Sequence, residues 1–547
     1  MRYAQHFNPY STPQSESAKP GQVENSAGGY VFAVDKWTQL DRFLILGCEG
    51  NTYYASEYEM TRDNAKNVLA CIDEDGARAV ARIVEISHAG RAPKNDAAVF
   101  ALALAASAEK PETRAAALAA LPKVCRIGTH LFQFVDAVQG FRGWGPGLCK
   151  AIGKWYTDRS PASLANQVLK YQSREKWSHK DVLRLSHPSV SSLEHAAIFE
   201  WVRAGMSGFE AREVARKSAG RVDKYEPANR EALPKLLSAY EEMKAAKFTK
   251  DVVKLIVDHG FTREMVPTQH LNSPEVWEAM LIDMPMTAMI RNLGKMSSIG
   301  VIKPLSNAAM KVAASLGDRD ALKKARVHPI ALLSALKVYE QGHGEKGKLS
   351  WTAERSVVDA LNEAFYLAFD HLEPTGKNWL IAVDISGSMA AGNIAGMPGL
   401  TPREAAAAMA MVTARTEKNW HAIGFTQRVV PITISPKQRL DDVVRAISQN
   451  VGEQTDAAQP MLYAAREKLG VDAFALYTDN ETWAGAIHPF QALQQYRQKL
   501  GRHQSKCMAV AMTATRFSIA DPSDAGMLDV VGFDAATPQI MADFARA

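Results

Sequence analysis

The spacing of apolar residues changes once along this chain, near Lys377, and that change does most to limit what the chain can fold into. Over residues 37–371 apolar positions recur at i, i+3, i+4 and i+7, as at Val252, Leu255 and Ile256, the stripe of an amphipathic helix. Helices are expected over 97–108, 111–125, 164–171, 226–247, 274–284 and 353–372. Ser160-Pro161 and Ser273-Pro274 read as an N-cap followed by a first-turn proline, and Gly205, Gly260 and Gly317 as stops. A long succession of short helices implies a stacked array. The repeat length is not fixed, so irregular HEAT-like pairs fit better than a strict tandem repeat. Composition alone is equally satisfied by a compact all-helical domain.

Beyond Lys377 short apolar runs alternate with helices. Strands are expected at 379–383, 420–425, 429–434, 473–477, 507–512 and 528–531. Helices are expected at 402–415, 440–448, 457–469, about 490–500, and at the end of the sequence. Continuous apolar strands flanked by helices call for a mostly parallel sheet covered on both faces, whose ligands sit at the carboxyl ends of the strands. A chain of 547 residues exceeds one hydrophobic core. The division expected is an irregular arm (1–28), rich in Ser, Pro, Gly and Gln from residue 11, then a helical module (29–372) and an α/β domain (373–547).

Composition narrows the function classes. The five cysteines, Cys48, Cys71, Cys125, Cys149 and Cys507, form no C-x-x-C and no Cys/His cluster. That pattern opposes a disulfide framework and a zinc site and suits a reduced, cytoplasmic setting. The first residues carry no apolar signal core, and the longest apolar run, 97–106, is far short of a membrane span, so neither export nor insertion is expected. The net charge is +5, with 16 basic and 16 acidic residues from Lys377 onward against 48 and 43 before it. A basic partner surface must therefore be local and lie in the helical module.

Two constellations carry chemistry. The first α/β strand runs into Asp384-Ile385-Ser386-Gly387-Ser388, which can turn three side-chain oxygens into one crevice. Thr455 lies in a Gly-containing loop, and Asp479 follows another apolar strand. Two carboxylates and three hydroxyls suit Mg²⁺, or Mn²⁺, over zinc. Read alone, the five residues are an ordinary hydrogen-bonded turn; their place after a strand, with both distant partners at loop tips, favours a metal. The order D-x-S-x-S, then Thr, then Asp resembles the metal-ion-dependent adhesion site of von Willebrand factor A domains. For metal-assisted hydrolysis Glu481 or Asp456 would have to act as base, with no second metal cluster or His in the pattern. The stretch GHGEKGK at 342–348 mimics a phosphate-binding loop but has Leu349 where Ser or Thr is needed, and it follows a helix. No catalytic residue is assigned, and the chain is expected not to be an enzyme.

The second constellation lies at 142–187, with nine Lys/Arg, two His and three acidic residues. The run KYQSR places Lys170 and Arg174 one turn apart on a continued helix, and Trp177, His179, Lys180, Arg184 and His187 follow. Such a face can neutralise phosphates while a ring stacks on an unpaired base. Taken alone, a basic run is more often a solvated helix face.

Several longer stretches resemble the TROVE module of the Ro autoantigen family: NSAGGY at 25–30, CEGNTYYA at 48–55, GRAPKND at 90–96, CRIGTHLF at 125–132, WSHKDVLRLSH at 177–187 and RNLGKM at 291–296. TDNETWAG at 478–485 resembles that family's final metal loop, so the likeness spans nearly the whole chain. The resemblance implies an α plus α/β multidomain protein, a closed ring of HEAT-like pairs whose ends are joined by a von Willebrand factor A domain. It implies a monomer that binds small structured Y RNAs on a basic outer surface and single-stranded RNA 3′ ends in the central hole. It also implies association with a 3′-to-5′ exoribonuclease such as polynucleotide phosphorylase. Lys170, Arg174 and His187 match family positions tied to RNA contact; Arg126, His130, Lys180 and Arg184 lie in matching stretches. The loop before Thr455 departs from the family's Gly-Gly-Thr, reading Gly-Glu-Gln-Thr, so Glu453 stands near the metal crevice. A metal-dependent protein-interaction scaffold without RNA is the alternative.

Overall fold

The computed structural model describes residues 11–47, 65–174, 176–190, 192–219, 230–344, 348–369, 372–392, 394, 400–448, 452–513 and 515–547. The CEGNTYYA stretch and residues 345–347 of the glycine-rich loop fall outside them.

The helical module runs from the helix Lys36–Leu46 to the helix Arg355–Leu367, and most helices pack on the next one or two in sequence. Local chemistry sets the ends. Asp35 accepts the Trp37 and Thr38 amides, Ser160 caps Pro161–Lys170, and Gly47 and Gly260 close helices in the left-handed conformation. Ser273 precedes the helix Pro274–Leu281 without a side-chain cap; its hydroxyl bonds Glu275 instead. The helix Asp96–Ala106 is apolar on every side, so it sits at the centre of the early repeats, against Pro111–Val124 and Gly128–Phe141. Gly205, with φ 67° and ψ −173°, breaks the helical path within Leu193–Ala219.

The array closes on itself. Arg326 Nη1 donates to the His88 carbonyl at 3.1 Å, and His328 Nε2 to that of Arg91 at 2.9 Å. His328 Nδ1 accepts the Ile330 amide, which fixes Nε2 as the protonated nitrogen. Late repeats thus meet the end of the helix Gly76–Ala89.

The short strands are β1 (Gln22–Glu24), β2 (Tyr30–Ala33), β3 (Ser173–Arg174) and β4 (Trp177–Ser178). The C-terminal domain adds β5 (Asn378–Asp384), β6 (Asn419–Phe425), β7 (Val429–Pro431), β8 (Ala473–Thr478), β9 (Lys506–Ala511), β10 (Phe517–Ser518) and β11 (Met527–Val531). Six of these form one sheet in the order β11-β9-β8-β5-β6-β7, parallel except for β7, which pairs antiparallel with β6. The central strands are buried, with helices such as Pro402–Thr416 and Pro489–Leu500 covering the sheet.

The arm is a finding the composition did not anticipate. Its later part is not irregular: β1 and β2 join β10 in a three-stranded antiparallel sheet. Gln14 is fully buried, donating to Asp456 Oδ1 at 2.6 Å and to the Ile487 carbonyl at 2.7 Å. Asn25 Nδ2 donates to the Thr482 carbonyl at 2.8 Å, and a Cβ on Gly29 would lie 1.9 Å from that same oxygen. The stretches NSAGGY and TDNETWAG therefore lock against each other. Polar side chains made the arm read as irregular; here they bond the Asp456 carboxylate and the Ile487 and Thr482 carbonyls of the C-terminal domain. Further joints are Arg42 to Asp529, Arg91 to Asp534 and Lys337 to Glu404.

Candidate functional site

The crevice at the carboxyl end of the sheet gathers all five expected oxygen donors or their loops. β5 and β8 are neighbours, so Asp384 and Asp479 emerge side by side. Asp384, Ser386, Ser388, Thr455 and Asp479 are all buried. Asp384 Oδ1 accepts the Ser386 amide at 2.9 Å and its Oδ2 the Thr478 hydroxyl at 2.7 Å. The hydroxyls of Ser386 and Ser388 lie 3.0 Å apart. Asp479 Oδ1 accepts the Glu481 amide at 3.0 Å, while its Oδ2 is buried with no hydrogen-bond partner. Burial first, and the Asp384 charge second, push the Asp479 carboxyl up to about 8. Burial also raises Asp384. A bare pair of buried carboxylates is costly, and an orphaned oxygen beside hydroxyls is a fit for a hard divalent cation.

The third loop is fastened to the first. Gly387 N donates to the Gly452 carbonyl at 3.1 Å, and Ser386 bridges Gly452 in parallel. A Cβ on Gly452 would sit 2.5 Å from the Thr426 side chain, so glycine is required there. The Thr455 carbonyl accepts the amides of Trp483 and Ala484, both at 3.1 Å. Glu453 is exposed and does not fill the crevice. Asp456 is committed to Gln14, Ala458 and Gln459, and Glu481 accepts the Ala27 amide. Both candidate bases thus serve the joint with the arm.

The basic residues fall into two places. Lys170 ends the helix Pro161–Lys170, but Arg174 does not continue it. Tyr171 leaves helical geometry (φ −120°, ψ 66°), and the chain turns through Lys176 (φ 66°) into the β3–β4 hairpin. The expected common helix face of Lys170 and Arg174 is therefore wrong. The stripe lies instead on the helix His179–Ser186, where Lys180 and Arg184 are exposed one turn apart and His187 follows at its left-handed end. Ser178 and Asp181 form a capping box that starts this helix.

Nor are the rings free to stack on a base. His179 is 3% exposed, with Nδ1 2.8 Å from the Tyr156 hydroxyl and its ring 4.7 Å from Phe132. Trp177 is half-buried, donates to Asp136 at 3.0 Å and packs on Trp144. These rings anchor the face that carries the cations.

Arg126 and His130 stand elsewhere. Arg126 lines an open cavity of about 680 Å³ between early and late repeats, with Arg291, Lys295 and Arg326. His130 contacts Asn95 on its rim, and burial together with the Arg126 charge lowers its imidazole to about 4. Among the described residues no acidic side chain lines this cavity. GRAPKND, CRIGTHLF and RNLGKM all contribute to its wall. Arg326 and Trp351 also line it and were missed from sequence, because each sits in an unremarkable loop far from the other basic residues. Among the described residues no helix is long and apolar enough to cross a membrane.

Comparison with known proteins agrees with this architecture. The TROVE domain model matches residues 23–337 and the Ro60 vWA domain model residues 378–545. The RNA-binding protein RO60 of Deinococcus radiodurans is 40% identical over 99% of this chain and 98% of its own length. That of Caenorhabditis elegans is 37% identical over 97% of this chain and 91% of its own. The crystal structure of the Deinococcus radiodurans RO (RSR) protein superposes with a TM-score of 0.68 and 38% identity, covering 94% of this chain and 99% of that one. With both of its domains matched and full-length relatives at this identity, the chain belongs to the Ro60 family of TROVE–vWA proteins.

Proposed function

We propose that this protein binds RNA without turning it over and serves RNA quality control and decay in the cytoplasm, as a monomer. The observation that carries the reading is the cavity at the closure of the array, walled by Arg126, Arg291, Lys295 and Arg326 with no acidic side chain among the described residues. An unpaired RNA 3′ end fits such a hole, since its phosphates meet cations and a duplex is too wide to follow. The exposed Lys180, Arg184 and His187 of the helix end, with Arg174 on the hairpin and the half-buried Lys170 before it, suit the backbone of a structured RNA, a Y RNA in this reading. His130, kept neutral, would act by hydrogen bonding. A 3′-to-5′ exoribonuclease such as polynucleotide phosphorylase would be recruited through the Y RNA.

The crevice formed by Asp384, Ser386, Ser388, Thr455 and Asp479 would hold Mg²⁺, with Mn²⁺ as a substitute. The orphaned Asp479 Oδ2 supports this. A bound ion would neutralise the carboxylate pair and accept an outside carboxylate or phosphate as a further ligand. In this reading the site is a docking point, and Glu481 and Asp456 are structural.

Gel-shift titration across a salt series tests the RNA reading, using a structured RNA with a single-stranded 3′ tail against the same RNA with a paired end. Tail-dependent, salt-sensitive binding without cleavage is expected. Failure to bind either RNA, with Mg²⁺-dependent protein capture that survives nuclease, would replace it with the scaffold reading.

A further inference from the structure

The cavity is also where the ring is joined, and its charges oppose the joint. Arg126 belongs to the early repeats and Arg326 to the late ones, yet consecutive residues hold them. Arg126 Nη1 donates to Ser87 Oγ at 2.9 Å, and Arg326 Nη1 to the His88 carbonyl at 3.1 Å. The two guanidinium groups therefore hang side by side at the end of the helix Gly76–Ala89. Each commits one nitrogen and retains further N–H donors. Among the described residues no acidic side chain lines the cavity around them. Burial first, and the neighbouring Arg326 charge second, lower the Arg126 guanidinium from its usual range, so the two like charges sit within reach of each other. Charge thus pushes the two sides of the closure apart, while hydrogen bonds to backbone carbonyls hold them together.

We propose that one phosphate group of a bound single strand bridges Arg126 and Arg326, so that seating the strand fastens the ring. This rests on the reading of the cavity as an RNA-end site and adds a consequence to it: ligand and closure are coupled. A phosphate offers several acceptor oxygens, and planar guanidinium groups pair with it bidentately. Binding that requires both sides of the closure must favour the closed form, because ligand stabilises whichever state it binds.

Hydrogen–deuterium exchange on the full-length protein tests this, with a short single-stranded oligouridylate as probe. In the wild type the oligomer should slow amide exchange across 86–91 and 326–331 by about fivefold or more. Arg126→Gln and Arg326→Gln should each weaken the oligomer by roughly tenfold and abolish that slowing. The double variant should lose much less than the product of the two, since both residues serve one phosphate. Arg326→Lys, which keeps the charge but not the planar fork, should retain salt sensitivity with reduced protection. Oligomer binding with unchanged exchange on either side, or with strictly multiplicative losses, would overturn the bridge while leaving the RNA-end reading standing. No binding of the oligomer by the wild type would overturn both.

Discussion

The acidic crevice and the basic faces place charge in opposite environments. In the crevice two carboxylates are fully buried, each fixed by amides or hydroxyls, and burial pushes Asp479 well above the usual carboxylate range. On the helix His179–Ser186 and in the cavity the cations are largely exposed and the structure beneath them is apolar. Desolvation makes each oxygen in the crevice decisive, whereas solvent screening makes each surface cation a small contributor to a sum. Single substitutions should therefore act nearly all-or-none in the first region and by degrees in the second.

The largest effect expected is from Asp384→Ala. It should weaken Mg²⁺ by at least about 100-fold, measured by calorimetry, and remove a Mg²⁺-dependent stabilisation of about 2.7 kcal/mol at 100-fold saturation. RNA affinity should stay within about twofold; a parallel fall would break the separation of the two regions.

Acid comes next. His179, buried beneath the basic stripe, is lowered from 6.5 to about 4 because burial disfavours the imidazolium. The unfolded chain takes up that proton first as pH falls below 6.5, so the stability this neutral ring allows is complete above 6.5 and is lost progressively toward 4. The full loss is on the order of 3 kcal/mol at 1.36 kcal/mol per unit. Urea unfolding midpoints should drop over that window, and less steeply in His179→Asn. An equal slope in that variant would show that His179 does not titrate as its burial demands.

Smaller still are the surface pairs. Lys170→Gln with Arg174→Gln, and Lys180→Gln with Arg184→Gln, should each weaken structured RNA by roughly tenfold and flatten the salt dependence by about two ions. If only the second pair has an effect, the RNA track follows the helix His179–Ser186 and not the hairpin. The smallest expected change is Trp177→Phe. It should cost about 1 kcal/mol of stability through the lost Asp136 hydrogen bond, with RNA affinity within about twofold. A large affinity loss at constant stability would restore this ring as a stacking platform.

The α/β half was legible because its signals are local. Runs such as 473–477 are buried on both faces, and the structure extends that strand by one residue. Asp384, the last residue of β5, and Asp479, the first after β8, could be placed because the carboxyl end of a strand leaves few options. The helical half was legible as helices but not as surfaces. That Lys170 and Arg174 part company depends on Tyr171 leaving the helix, a choice made by packing of Tyr171 against Gly128, where a Cβ would lie 2.8 Å from its side chain. The pairing of Arg126 with Arg326 spans the closure and leaves no trace in spacing. Gln14 was equally hidden: nothing near it in sequence shows that Asp456 is its partner.

That last joint bears on how the molecule is made. Residues 14–33 complete the A-domain, yet Asp456 follows Gln14 by 442 residues. On the ribosome the early segment must wait, unpaired, while the whole ring is synthesised, and the final strands recruit it afterward. The helical module is in effect an insertion within the A-domain. A fragment cut at the domain border would strand the polar core of that joint and expose the edge of β10. Supplying residues 11–34 in trans as a peptide should then restore what the cut removes.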